Sequence, residues 1–481
     1  MSILDSITGA IPGIRKPLQP LTTRDKLKWT GIIMGVYFLL FSIPAFGSNA
    51  TALNQPAVQL ANIIFAARVG SLITVGITPI VLSSIVLQLL QGAGFLKIDM
   101  QDPEQKAKMQ GVQKLAAIVI ALIEAVIFVK IGYVPLAASS FASLVTLQLA
   151  IGAIAIIYLD ESMAKYGITS GLNLFIAGGV AYSIVAGTIT IIFPEAIAAI
   201  QAGTTAAIPN AILAFGPLFF AAIVFLISIY AYDIKVELPI AFSQLRGVGG
   251  RFPIPLLYTS VLPVILATSF ILSMSVWARA LAGVGGSLAN TAKFIALFQS
   301  VNGQPTLSGG ILYLISPIFP SPYASPYGIG GYSAYFSYLA THTTQLFIPT
   351  GGFVLVPEWI HIIFYTIVLV LLCIVFGKFW IEMTGQSPKN VASQLQDVGM
   401  QIPGFRRDPR IIENVLNKYI PTVAVLGSGF VGLLAALATL TGAVGTGVGI
   451  LLTVGIMYMV YQQLERENAL ASMPGVEKLL S

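Results

Sequence analysis

The stretch AARVGSLITVGITPIVLSSIVLQLL, Ala66 to Leu90, decides how the rest of the chain is read. It is long and apolar enough to cross a membrane, where a spanning helix needs about 20 mostly apolar residues. Yet Gly70, Gly76 and Pro79 interrupt it, five hydroxyls (Ser71, Thr74, Thr78, Ser83, Ser84) punctuate it, and Arg68 stands at its entrance. Glycine frees the backbone and proline removes a backbone donor. Two readings fit: a span built to divide into two pieces, or an ordinary kinked helix braced by its neighbours.

The surroundings of that stretch are equally apolar. The 481-residue chain is 56% hydrophobic and only 9% charged, where soluble domains carry roughly 25% charged residues, and its mean hydropathy is +0.87. This is the pattern of an all-α polytopic membrane protein. Ten charge-poor segments long enough to span follow one another, near 29–46, 73–90, 115–131, 138–159, 168–193, 206–232, 253–278, 359–377, 419–440 and 446–464.

Basic loops stay in the cytosol. With the N-terminus inside, 21 of the 25 Lys and Arg residues fall in cytosolic segments, leaving only Arg68, Lys130, Arg279 and Lys293 outside. The chain thus reads as a multi-pass protein of the cell membrane with both termini cytosolic. Its net charge of +6 is explained by topology and by contact with anionic headgroups, although a basic cytosolic face could also dock an acidic or RNA-containing partner.

The expected divisions are a retained cytosolic segment (1–28), an N-terminal half (29–232) whose sixth span begins near 206 after a hinge near 194–205, a cytosolic loop (233–255), a C-terminal half (253–464) and a cytosolic tail (465–481). The C-terminal half holds a long external segment, 279–358, rich in Gly, Pro, Ser and Tyr, and a cytosolic loop, 378–418. The apolar content of 279–358 suggests that it packs on the outer face of the membrane or dips back in, since irregular backbone at that depth needs protein cover. Halves of five spans each, an odd number, would sit inverted relative to each other.

Catalytic chemistry is not visible. His342 and His361 are the only histidines and Cys373 the only cysteine, so neither a disulfide nor a cysteine metal cluster is available, and no catalytic residue, metal ligand or cofactor is expected. The run GAVGTGVGI, Gly442 to Ile450, imitates a phosphate loop without its Lys and Ser/Thr, and reads as a tight turn with close helix packing. Glu124 is the one carboxylate placed centrally in a span, either a functional group or a bracing one. Scarcity of intramembrane charge argues against ion-coupled transport. A small-solute secondary transporter with inverted repeats remains the alternative to a channel, and a scaffold without a pore a third reading.

Several motifs, in order along nearly the whole chain, carry a resemblance: KLKWTG (26–31), GITPIV (76–81), LQLLQG (87–92), IYLDE (157–161), YGITSGLNLFIAGGV (166–180), LPVILA (262–267), WIEMTG (380–385) and GVGILLTVGI (447–456). They resemble the SecY family, the protein-conducting channel of the Sec translocon, in its archaeal form. The likeness fades after Arg279.

The resemblance implies ten helices in two inverted five-helix halves around a central hourglass pore, hinged between spans five and six and opening sideways between spans two and seven. It implies that the second span divides, the outer piece (57–69) plugging the pore and the inner piece, from about Ser71, forming a gate wall. Ile63, Ile64, Arg68, Gly70 and Ser71 then belong to the plug and its hinge, with Gly76 and Pro79 keeping the inner piece deformable. Ser83, Ser84 and Gln88 would hydrogen-bond across the gate, opposite Ser273. The narrow ring falls on Ile77, Val81, Leu172, Ile176, Ile265 and Leu452. Six aliphatic side chains around a neck would exclude water and ions by dewetting and offer nothing polar to hold a passing chain.

On the cytosolic side, Arg246, Arg251 and Arg406 fall in the loops that the family docks on the ribosome, and guanidinium groups suit bidentate phosphate contacts. Further implied partners are a small single-span SecE-type subunit, a SecG or beta-type subunit, signal sequences, nascent polypeptides and membrane lipids. One departure is the seventh span's gate face, where relatives carry a polar residue and this chain has Ser273, Met274 and Ser275.

Overall fold

The computed structural model describes residues 13–19, 21–48, 66–92, 103–203, 207–242, 249–259, 261–282, 293–301, 304–317, 331–348, 352–384, 386–397, 400–401 and 409–471. In the N-terminal half the apolar runs fold as α1 (Thr23–Ser42), α2 (Thr78–Gly92), α3 (Pro103–Lys130), α4 (Ala142–Tyr166) and α5 (Gly171–Gly187). Through a π-helical turn, Thr188–Ile192, α5 continues into α6 (Phe193–Gln201), and α7 (Ala207–Ala214) and α8 (Gly216–Asp233) share the sixth span. The hinge expected near 194–205 is therefore helical as far as Gln201, and 204–206 lie outside the described residues.

The loop after α8 is a hairpin of β1 (Lys235–Phe242) and β2 (Gly249–Pro255), followed by α9 (Leu262–Ala282). The long segment after α9 contains β3 (Leu297–Val301), β4 (Gln304–Gly309), α10 (Ile311–Ile315), α11 (Tyr332–Thr341), β5 (Thr343–Ile348) and β6 (Gly352–Pro357). It is followed by α12 (Glu358–Met383), then by α13 (Pro388–Asp397) and β7 (Met400–Gln401), and by α14 (Pro409–Leu440) and α15 (Gly447–Ala471).

Eight of these stretches are long and apolar enough to cross a membrane, and α1 and the shorter α2 bring the described set to the ten expected. Among the described residues strands occur only in the loops, and the spanning body is helical. Within it α2 packs on α3, α3 on α4 and α1 on α4, while α12 packs on α9 and most broadly on α14, which also packs on α15. The two groups meet where α2 lies against α9, and where α15 touches α5 and α8. One large buried apolar cluster draws residues from both groups.

Two sheets cap the helices. The four-stranded one has the order β3-β4-β5-β6, with β6 at an edge. The three-stranded one has the order β2-β1-β7 and joins two loops far apart in sequence: Ala241 pairs with Gln401 and Phe242 with Met400. Nonlocal strand pairing of this kind leaves no local trace in a sequence.

The opening stretch does divide. Residues 66–77 form turns rather than helix, with Gly70 at φ +83° and Gly76 at φ +61°, a region open to glycine and costly for other residues. Helix begins at Thr78, so the inner piece, expected from about Ser71, opens with turns before its helix. Pro79 consequently sits in the first turn of α2, where its missing N–H has no intrahelical partner to lose. It starts the helix rather than making its interior deformable.

Candidate functional site

The six positions expected to form a neck come from four regions of the fold. Ile77 immediately precedes α2 and Val81 lies one turn into it, a spacing that places both on one face. Leu172 and Ile176 repeat that spacing at the start of α5, Ile265 opens α9, and Leu452 lies in the second turn of α15. Ile77, Val81, Ile176, Ile265 and Leu452 are buried, and Leu172 packs half-buried against the same apolar cluster.

Each contributor is held by a local device. Ser170, the N-cap of α5, makes no side-chain cap; instead Asp160 Oδ1, on α4, accepts the Leu172 N–H at 2.7 Å. A carboxylate twelve residues upstream thus satisfies a donor that the helix start leaves open. A Cβ at Gly171 would stand 2.7 Å from Asp160 Cα, so glycine is what lets α5 start this close to α4. On α15, a Cβ at Gly447 would collide with Ala438 and one at Gly455 with Tyr232, and the turn before it carries Gly442 and Gly445 at positive φ. The phosphate-loop imitation is a tight turn with close packing.

The hinge segment is fastened to α1 and α4. Gly70 O accepts Ala45 N–H at 2.8 Å and Ser48 Oγ–H at 3.1 Å, Leu72 N donates to Ile43 O at 3.1 Å, and Tyr37 OH donates to Ala66 O at 2.9 Å. Ser71 is buried, forms a β-bridge with Pro44, and donates through Oγ to Arg68 O at 2.7 Å. Ala66 holds φ +46°, a conformation that costs a non-glycine residue about 1 kcal/mol. A Cβ on Gly152 of α4 would run into the Leu72 carbonyl. Arg68 itself is exposed, its guanidinium 5.8 Å from the centre of the Phe41 ring. Ile63 and Ile64 lie outside the described residues.

α2 and α9, which pack together, both carry buried hydroxyls, and Ser83, expected to bond across them, does not. Ser83 Oγ donates to Ile80 O at 2.9 Å, within its own helix, because in an apolar seam the nearest free carbonyl is the one a turn back. Thr78, Ser269 and Ser273 are buried with hydroxyl oxygens that have no hydrogen-bond partner. Ser84 is half-buried on α2, and the Gln88 side chain lies outside the described set.

Of the three arginines expected to dock a partner, Arg251 is exposed on β2 and its Nη1 is 2.6 Å from Glu237 Oε2 on β1. Arg246 and Arg406 lie outside the described residues. Glu124 is buried on α3, and its Oε2 has no hydrogen-bond partner.

Sequence reasoning missed two polar clusters. In the first, Glu161 receives Lys114 Nζ and Lys165 Nζ at 2.6 Å each and the Ile14 N–H at 3.0 Å, while Lys165 also donates to Ile14 O. It ties the N-terminal segment to α3 and α4, and its signal was the acidic pair in IYLDE. In the second, Glu358 and His361 at the start of α12 are buried with Tyr313 and Thr344. Those partners are spread from α10 to β5, and no motif joins them.

Comparison with known proteins matches this architecture. The SecY family profile covers residues 71–461. The protein translocase subunit SecY of Methanocaldococcus jannaschii is 36% identical over 483 residues, covering 100% of both chains, and that of Methanococcus vannielii is 36% identical over 98% of this chain and 97% of its own. Among solved structures, one described as a protein-conducting channel superposes with TM-score 0.79 at 35% identity, covering 98% of each chain. Sec61 in the canine ribosome-channel complex superposes with TM-score 0.77 at 35% identity and the same coverage. With a family profile over residues 71–461 and relatives about one-third identical along nearly their whole length, the chain belongs to the SecY family of protein translocation channel subunits.

Proposed function

We propose that this channel seals by dewetting at a neck of Ile77, Val81, Leu172, Ile176, Ile265 and Leu452, passes unfolded secretory polypeptides through it, and releases apolar segments into lipid between α2 and α9. The supporting observation is the single apolar cluster that draws these side chains from the start of α2, α5, α9 and α15. Water and ions gain no hydrogen bond there, and dewetting closes the passage. A threaded chain meets no fixed charge or donor that would grip one sequence over another.

The seam opens because it is held weakly. Thr78, Ser269 and Ser273 contribute packing but no hydrogen bond across α2–α9, and a buried hydroxyl without a partner costs about 1–3 kcal/mol. Parting the helices lets water or a substrate backbone satisfy those groups. The segment 57–69 acts as the plug in this reading; one related structure is described as showing that the plug domain of SecY stabilises the closed state and maintains a membrane seal.

Both termini are cytosolic, as the distribution of Lys and Arg requires. Arg246, Arg251 and Arg406 face the ribosome, the partner of the Sec61 relative in its complex. A single-span SecE-type subunit and a SecG or beta-type subunit complete the assembly, and the driving force comes from a partner.

The test is conductance. Ile77→Gly with Ile176→Gly, reconstituted in a planar bilayer, raises resting ion flow, and a photoreactive group at Leu452 crosslinks to a stalled secretory chain. An unchanged seal together with labelling only at lipid-facing positions overturns the reading.

A further inference from the structure

The external segment is unusual for a surface that faces water. From Phe294 to Pro357 the chain contains no Asp, Glu, Lys or Arg, and β6 within it is a sheet edge. Three consecutive β6 residues are about half exposed: Phe353 at 57%, Val354 at 49% and Leu355 at 55%. Successive strand residues point to opposite faces, so both faces of this edge present apolar side chains. Edge strands in water are usually guarded by charge or proline against pairing with another chain; here charge is missing throughout.

What lies next to the strand identifies its surroundings. β6 runs directly into α12, where Trp359, Ile363, Ile367, Leu371 and Val375 are all exposed. Their spacing of four residues makes one stripe along a spanning helix, the side that faces lipid. Trp359 at its head is the residue type favoured at the membrane interface. The hairpin is also clamped to the helix: Thr344 Oγ1 on β5 donates to Glu358 Oε1 at 2.6 Å, and Glu358 N donates to His342 O at 3.1 Å.

We propose that β6 and the head of α12 form one continuous lipid-binding surface, with β6 seated edge-first among the headgroups of the external leaflet. An edge-first seat covers both apolar faces at once. It also leaves the unpaired edge N–H and C=O groups within reach of headgroup water, which the hydrocarbon interior would deny them.

Spin-label accessibility tests this in the full-length chain reconstituted in phosphatidylcholine vesicles. Labels are placed at Leu355→Cys, at Ser393→Cys on the exposed face of cytosolic α13, and at Ile367→Cys in the lipid stripe; Cys373 is buried and stays unlabelled. The ratio of oxygen to nickel-chelate collisions at 355 is expected to be several-fold above that at 393 and below that at 367. Val354→Cys reads the opposite face and gives the same result. A ratio at 355 and 354 equal to that at 393 overturns the proposal. So does dipolar broadening that disappears on dilution with unlabelled chain, which would put a second copy on this edge.

Discussion

His361 Nδ1 lies 2.9 Å from Glu358 Oε2 in the first turn of α12, with both side chains almost completely buried. The second ring nitrogen, Nε2, lies 3.0 Å from Ser316 O, and Glu358 Oε1 accepts Tyr313 OH at 2.7 Å and Thr344 Oγ1 at 2.6 Å. Both imidazole nitrogens face hydrogen-bonding oxygens, Glu358 Oε2 and Ser316 O. The pair bolts the external sheet, α10 and the eighth span together.

Removing one member leaves a buried polar atom of the other without its partner, at a cost of about 1–3 kcal/mol. Glu358→Gln and His361→Asn are each expected to lower the thermal midpoint of the reconstituted channel. The double variant should lose less than the sum of the two, and strict additivity in that cycle would show that the residues are not coupled.

Asp160 positions Leu172 through the backbone. Asp160→Ala removes the acceptor and, like loss of a helix cap, costs about 1 kcal/mol, while freeing the first turn of α5. The expected readout is a raised resting conductance with normal expression. Asp160→Asn keeps an acceptor oxygen and should restore the seal. Equal conductance in both variants and the parent would remove Asp160 from this role.

Gly152 keeps α4 clear of the Leu72 carbonyl. Gly152→Val forces the hinge segment away from α4, so the closed state should be occupied less of the time. Single-channel records in a bilayer should show more frequent openings; unaltered closed times would mean that the segment shifts without consequence for the seal.

Arg251 is exposed and paired with Glu237, whose hydrogen bond and charge hold the guanidinium pKa above its ordinary value. Exposed pairs contribute little to folding, so Arg251→Glu should leave the thermal midpoint unchanged. Co-sedimentation with ribosomes should weaken, and the loss should shrink as salt rises, because phosphate contacts are screened. Undiminished binding at low salt would count against this arginine as a contact.

Much of this was legible before any coordinates. The ten spans follow from runs of apolar residues; Gly70, Gly76 and Pro79 leave the second span open between a divided and a kinked helix, and only the resemblance chooses division. The start of α2 at Thr78 was not legible, since the turns at 66–77 are held by Tyr37, Ile43 and Ala45, contacts that only the fold creates. Ser83 was assigned a partner across the seam but bonds within its helix, a choice that depends on which carbonyl is nearest. The aliphatic neck could be named only through resemblance, because its six residues look like any others in a span.

The β2-β1-β7 sheet has a mechanical consequence. Strands β1 and β2 connect α8 to α9, while β7 lies on the link between α12 and α14, so a push delivered to the hairpin bearing Arg251 is shared with the far loop through the Ala241–Gln401 and Phe242–Met400 pairs. The sheet is a yoke: a docked machine leaning on one arm tugs four membrane helices together, and that two-residue splice is where the harness would slip first.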